Sequence, residues 1–420
     1  MKQFFLSHKY FIIIFVFFII LLPQTIGLPA QTDNQAIVTG ISVDKKEGNF
    51  NVALQLITPQ SDLSKNENIE IVEDEGETFF RCIDNLSIKL GKTVGFEHTN
   101  IIIIGQSVEG EDIMNILDFL YRNSKITLST TLLQSNKEAK KILETSAELN
   151  NNSSSSLQNN LAYNNKIIET SYVTSIGKFF NDYFSYSKIS LVPLIEEPEN
   201  EEETQKTNES GGSSGGGSQE TPQGQTGGSQ TSSEAKVEPL IKNNGESVIY
   251  KNGRYFSKLS RELTNGFSWL EEETVKGVVK VEDVNDNKFY HNATVSVQVE
   301  NSKTKVKPIY KNNQLVLKTE LKLFCYVGEI VDMHKKSYNL MQSDQSYLSK
   351  ELEEAVKKKI TQTIQNSLNY SKLNNVDVFN FYDKFYKYKK NDLKKVLSNY
   401  GENYLQACDI EVDIKIYPYK

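Results

Sequence analysis

The apolar positions of this chain follow two periods, and they switch several times. Ile37, Thr39, Ile41 and Val43 alternate with their neighbours, Lys45–Gly48 reads as a turn, and Phe50, Val52, Leu54 and Leu56 alternate again. This pattern predicts a β-hairpin with one apolar face. Phe79, Ile83, Leu86 and Leu90 then fall at helical spacing, with Gly91 as the stop. Ile101–Ile104 is a continuous apolar run, as expected of a strand buried on both faces. Ser107 is the expected cap of a helix carrying Ile113, Ile116, Leu117 and Leu120, and Ile126–Leu133 reads as strand. Asn136 is the expected cap of a helix through Ala139, Ile142 and Leu143. The alternation predicts βαβ packing. After an Asn/Ser-rich loop at Asn150–Asn160, Val173, Ile176, Phe180 and Tyr183 suit one more helix.

The second half has longer periods. Val295, Val297 and Val299 alternate with polar residues, and Leu315–Val327 does so over a long strand. In Tyr347–Leu368, Leu348, Leu352, Val356, Ile360, Ile364 and Leu368 repeat every four residues, with Glu353–Lys357 and Glu354–Lys358 pairs outside. Ile410, Val412, Ile414 and Ile416 form a last alternating strand. This half predicts a half-buried antiparallel sheet with helices on one side. The fold class expected is α+β, a multidomain mixed α/β protein.

Two segments break the pattern. Lys2, His8 and Lys9 precede an unbroken apolar run from Tyr10 to Leu22, which matches a secretory signal better than a buried core helix. Cleavage after Gly27 and retention as an anchor are both open. No Cys follows that run before Cys82, so a lipoprotein-type lipid attachment is not expected. Glu196–Glu203 holds six Glu in eight residues, and Thr204–Ser233 is dominated by Gly, Ser, Thr, Gln and Glu. Such a stretch reads as a flexible, disordered linker. The expected organisation is a signal or anchor segment at 1–30, an N-terminal block at 31–193, possible subdomains within it included, a linker at 194–243 and a C-terminal block at 244–420. The linker is expected to let the two blocks move independently.

Composition narrows the function. With 420 residues, 38% hydrophobic and a net charge of -7, the chain is neither a polytopic membrane protein nor a basic nucleic-acid binder. Four His and three Cys leave little for metal clusters, and no disulfide framework is visible. A Cys325–Cys408 bridge is compatible with the sequence. No H-E-x-x-H, C-x-x-C or Walker motif occurs, and the G-x-S-x-G at Gly211–Gly215 falls in the linker. His98 beside Glu97 is expected to be structural, and His291 and His334 to be surface residues. Glu97, Glu262 and Asp377 have nothing to pair them for hydrolysis. The aromatic run Phe379, Phe381, Tyr382, Phe385, Tyr386 and Tyr388 interleaves with Lys384, Lys387, Lys389, Lys390, Lys394 and Lys395. It is read as a helix with an aromatic core side, against the alternative of an anionic-lipid surface. No catalytic, cofactor-binding or metal residue is assigned, and no cofactor is expected.

In order along the chain, these segments resemble the Ger(x)C family, the C subunits of bacterial spore germinant receptors. The resemblance runs through Ile37–Asp44 (IVTGISVD), Gly76–Leu90, Phe96–Gly105 (FEHTNIIIIG), Leu117–Asn123 (LDFLYRN), Lys137–Leu143 (KEAKKIL) and Val192–Pro193. It continues through Val248–Leu270, Ser302–Pro308 (SKTKVKP), the amphipathic helix, Val378–Phe381 and the last strand. SKTKVKP is its most specific piece, and Asn123 stands where the family usually has an acid. The resemblance implies a non-enzymatic, extracytoplasmic subunit of a nutrient receptor in spore germination. Its implied partners are a membrane-embedded A subunit, a transporter-like B subunit and the membrane surface, with no nucleic acid. The implied location is the outer face of the spore inner membrane, the chain being tethered by its apolar N-terminus or released by cleavage. The alternatives are a general cell-envelope binding or interaction protein and, behind it, an envelope hydrolase.

Overall fold

The computed structural model describes residues 35–58, 68–149, 172–196, 244–271, 276–286, 290–331 and 348–419. The export segment, the Asn/Ser-rich loop, His334 and all of the expected linker beyond Glu196 up to 243 lie outside them.

The first sheet grows from the expected hairpin. β1 (Gln35–Lys46) and β2 (Asn49–Thr58) pair in antiparallel register down to Lys46 opposite Asn49. The two-residue turn places Glu47 at φ 52° and Gly48 at φ 90°, the left-handed pair that matches strand twist. β3 (Asn68–Gly76) adds to β2, and α1 (Phe79–Leu90) ends as expected on left-handed Gly91. Next come β4 (Thr93–Gly95), β5 (Ile101–Ile104), α2 (Met114–Ser124), β6 (Thr131–Ser135), α3 (Ala139–Leu149), β7 (Thr174–Ser175), α4 (Ile176–Tyr183) and β8 (Ile189–Ile195). β1, β5, β6 and β8 are parallel neighbours, the βαβ packing expected from the alternation. Ile102 and Ile104 point into the core under α1, α2 and α4, while Ile101 and Ile103 meet Ala139, Ile142 and Leu143 on the opposite face.

Some boundaries differ from the sequence reading. Ser107 does not cap α2. It sits in a 3-10 turn and accepts from the Lys45 N–H at 2.8 Å, while Asp112 Oδ1 accepts from Met114 N at the helix start. β6 begins at Thr131 rather than at Ile126, and α4 buries Ile176 and Phe179 while Phe180 and Tyr183 are only half-buried.

Beyond residue 243 the chain returns to the same sheet. β9 (Ser247–Lys251) pairs antiparallel with β8, from Ile189 opposite Lys251 to Pro193 opposite Ser247, and β10 (Arg254–Leu259) completes the edge. The full order is β10-β9-β8-β6-β5-β1-β2-β3, with β4 beside β1 and β7 beside β6. This corrects the expectation of independently moving blocks. All seven residues of β8 are buried, so β8 cannot end the sheet, and the hairpin from the C-terminal side supplies its missing ladder.

α5 (Arg261–Ser268) leads to the second sheet, β11 (Gly277–Asp286), β12 (Tyr290–Lys311) and β13 (Gln314–Val331), all antiparallel neighbours. α6 (Lys350–Asn374), α7 (Phe381–Tyr388) and α8 (Lys390–Tyr400) cross one face and deliver β14 (Cys408–Pro418) parallel to β13. That one parallel pair departs from the all-antiparallel expectation, because a helical crossover returns the chain in the same direction. α6 buries Leu352, Val356, Ile360, Ile364 and Leu368 as its spacing predicts. The core beneath it continues into Ile189, Leu191, Ile249 and Leu259 of the first sheet.

All three cysteines are buried free thiols. Cys408 lies opposite Leu315 and Cys325 opposite Pro418, which puts Cys325 and Cys408 roughly 30 Å apart along the strands and rules out a bridge between them. No helix among the described residues is long and apolar enough to cross a membrane.

Candidate functional site

The residues weighed for chemistry lie apart. His98 and His291 are exposed. Glu97 accepts from Gln35 Nε2 at 3.2 Å, and Glu262 from Asn366 Nδ2 at 3.4 Å. Asp377 is buried, and it accepts from Phe381 N (2.9 Å), Tyr382 N (2.8 Å) and Tyr404 Oη (2.8 Å). Its carboxylate therefore starts α7, although burial still raises its pKa. The expected aromatic core side of that helix is present in Phe381 and Phe385, both fully buried. Among the described residues no three His, Cys, Asp or Glu side chains gather as metal ligands.

Two arrangements missing from the sequence reading stand out. The first is built on Asp44, the last residue of IVTGISVD. Its two carboxylate oxygens accept from Ala139 N at 2.9 Å and Lys140 N at 3.0 Å, so they cap α3 in place of the expected Asn136. Gly105, which ends FEHTNIIIIG, leaves room for this carboxylate, because a Cβ there would collide with Asp44 Oδ1. Burial raises the Asp44 pKa against the two amides that favour its charged form. Three of the segments that carry the family resemblance thus meet at one buried carboxylate.

The second arrangement is a cleft of about 370 Å³ between the first sheet with α4 and the helices α5 and α7. α4 contributes Lys178 and Asp182, and the C-terminal side contributes Glu271, Asn380 and Lys384. Ile189, Leu191, Phe267 and Phe379 form an apolar floor. Lys178 Nζ pairs with Glu271 Oε2 at 3.4 Å and lies 5.1 Å from the Tyr172 ring, whose hydroxyl donates to Glu271 Oε1 at 3.2 Å. Asp182 accepts from Ser190 Oγ at 2.9 Å; burial pushes its carboxyl up to about 6, with Lys178 opposing the shift. Lys384 donates to the Phe379 carbonyl at 2.9 Å.

The rim of the cleft is latched. Tyr186 N and Ser187 N donate to Asp383 at 3.1 and 3.4 Å, and Ser187 Oγ donates to Asn380 Oδ1 at 2.8 Å. The Tyr186 ring stacks on Tyr382 at 4.8 Å. Two ammonium groups face two carboxylates over an apolar base, and the lining holds no Ser, Thr, Cys or His. The cleft thus sets charged groups of both signs over an apolar floor, and its two lysines are engaged, Lys178 with Glu271 and Lys384 with the Phe379 carbonyl. Its charged residues come from three separated segments, α4, the stretch after α5 and α7, and no local motif announces them.

Comparison with known proteins follows the same division of the chain. The family model described as "Spore germination protein N-terminal domain" matches residues 30–197. The one described as "Spore germination B3/ GerAC like, C-terminal" matches residues 244–417. The chain is 21% identical over 416 residues to spore germination protein KC of Bacillus subtilis (strain 168), covering 95% of this chain and 94% of that protein. Among solved structures it is similar to the crystal structure of the GerBC protein, with a TM-score of 0.49 and 15% identity, covering 91% of this chain and 97% of the other.

Proposed function

This chain belongs to the Ger(x)C family of spore germination proteins, and from that membership we propose that it is the C subunit of a nutrient germinant receptor, with no catalysis of its own. The observation that carries the reading is the pair of family models, matched in order over both folded blocks. The end-to-end similarity to protein KC supports it. In this proposal the subunit lies on the outer face of the spore inner membrane and works with membrane-embedded A and B subunits. The apolar run Tyr10–Leu22 tethers it there or is removed on export. The division into an N-terminal block at 31–193 and a C-terminal block at 244–420 belongs to the same proposal, with the hairpin β9–β10 serving the sheet of the first.

The test is deletion of the gene. Growth and sporulation are expected to stay intact, while nutrient-triggered germination slows. A germination response unchanged for every nutrient tried would overturn the reading.

A further inference from the structure

The SKTKVKP segment, the most specific piece of the resemblance, carries Lys303, Lys305 and Lys307. It lies in β12. There Ser302 and Thr304 are buried toward α5–α8, with Thr304 Oγ1 donating to the Trp269 carbonyl at 3.1 Å. Lys303, Lys305 and Lys307 therefore point to the opposite face, and all three are exposed. Side chains of that face, among them Lys322, Phe324 and Tyr417, are absent from the core cluster beneath the helices.

The register on this face is unusual. Lys303 stands opposite Lys322, and Lys322 opposite Lys415, which makes a row of three lysines across three strands. Lys307 stands opposite Lys318, which has Glu411 on its other side, and between these rows Lys305 stands opposite Glu320. Like charges directly opposite one another cost stability, so the Lys303–Lys322, Lys322–Lys415 and Lys307–Lys318 pairings are unfavourable for the fold by themselves. The carboxylates of the face serve only part of it: Glu320 pairs with Lys415 at 3.2 Å and Lys322 at 3.4 Å, Asp413 with Lys415 at 3.8 Å, and Glu411 with Lys311 at 2.5 Å. Among the described residues Lys303, Lys305, Lys307 and Lys318 have no carboxylate within ion-pair distance. Lys303, Lys305, Lys307, Lys311, Lys318, Lys322 and Lys415 share this face with Glu320, Asp409, Glu411 and Asp413; an excess of lysines on one face of a chain of net charge -7 is a segregation of charge that composition does not explain.

Beside the lysine rows lies an aromatic band. Phe324 stacks on Tyr417 at 5.5 Å, Tyr326 lies 6.4 Å from Tyr419, and Lys303 Nζ sits 5.9 Å from the Phe324 ring. Tyr417 and Tyr419 are 40% and 46% exposed, so the band reaches solvent. No arginine occurs in these rows, although a planar fork is the usual choice for a protein carboxylate. Flexible ammonium groups spread over an open sheet, with tyrosines alongside, suit lipid phosphates at a bilayer interface.

We propose that this face of the second sheet docks on anionic phospholipid head groups at a membrane surface. The proposal does not depend on the germination reading, and its test has no germination readout. Full-length protein is mixed with vesicles of phosphatidylcholine alone or of phosphatidylcholine with phosphatidylglycerol, and binding is read by co-sedimentation. Stronger binding to the mixed vesicles is expected, and high salt should erase the preference. The triple variant K303Q/K305Q/K307Q should lower that preference roughly a hundredfold, since each lysine near an anionic bilayer is worth about a factor of five. The corresponding triple arginine variant should keep it. The glutamines at 303 and 307 relieve like-charge contacts while the one at 305 gives up its place opposite Glu320, so the glutamine variant should melt close to the wild type. Equal binding of wild type to both vesicle types, or equal preference in the glutamine variant, overturns the proposal. So does binding to soluble polyglutamate in preference to the mixed vesicles, which would assign the face to an acidic protein partner.

Discussion

Asp44 does at a distance what sequence reading assigned to a neighbour. Helix caps are sought within a few residues of the helix start, and Asn136 satisfied that local rule. The carboxylate that accepts from Ala139 and Lys140 comes instead from 95 and 96 positions earlier. Spacing along a chain carries no sign of such a contact, whereas the identities did: Asp44, Gly105 and Lys137–Leu143 were all among the segments that carry the resemblance. The geometry fixes what each should do. Asp44→Ala removes a cap and leaves the buried Ala139 amide and the half-buried Lys140 amide without an acceptor, at a cost of about 2–3 kcal/mol. Gly105→Ala should cost a similar amount by pushing the same carboxylate off the helix start. Since both act through one contact, the double variant should fall well short of the sum of the two. Urea midpoints of the four proteins test this, and simple additivity would show that Gly105 and Asp44 do not share a role.

At the scale of elements, the periodic stretches were the legible part. The hairpin β1–β2, the helix ending at Gly91, the long strands β12 and β13 and the stripe along α6 each lie where their apolar spacing put them. Periodicity reports which face is buried but not what the face meets. It therefore gave neither the parallel seat of β14 nor the pairing of β9 with β8. The contact of α5 with α6 is a case in point. It depends on Gly266, where a Cβ would lie 2.6 Å from the Thr363 carbonyl and would also strike Ser367 Oγ. Ser367 Oγ meanwhile donates to the Leu263 carbonyl across the same interface at 2.9 Å. Gly266→Ala improves helix propensity yet forces the two helices apart, so a net loss of about 1–3 kcal/mol is expected from thermal melts. Adding Ser367→Ala should not restore the loss, because the closer obstacle that remains is main chain. A stabilised Gly266→Ala variant would mean that the helices separate without penalty.

The molecule as a whole is tied together more tightly than its sequence suggested. A stretch of Gly, Ser and Glu between two folded blocks favours two independent bodies. Against this, β8 and β9 pair over five positions, Tyr250 of β9 donates to Gln134 of β6, and Ile189, Leu191 and Ile249 belong to the core that lies beneath α6. The latch from Tyr186 and Ser187 to Asp383 closes the same boundary from outside. Damage to the far side of the first sheet should therefore be felt in the second core. Trp269, the only tryptophan, is buried in that second core and reports on it alone. Leu54, fully buried in β2, packs in the first core and shares no cluster with Trp269. Leu54→Ala should remove about 2–5 kcal/mol from the first core. With the blocks coupled through one sheet, the denaturant midpoint read from Trp269 emission should fall together with that read from far-UV circular dichroism. If the emission midpoint stays at its wild-type position while the dichroism splits into two steps, the blocks unfold separately, and the β8–β9 ladder is then too weak to couple them. The coupled outcome would let a load placed on the basic face of the second sheet reach the cleft and the first sheet through β8 and β9.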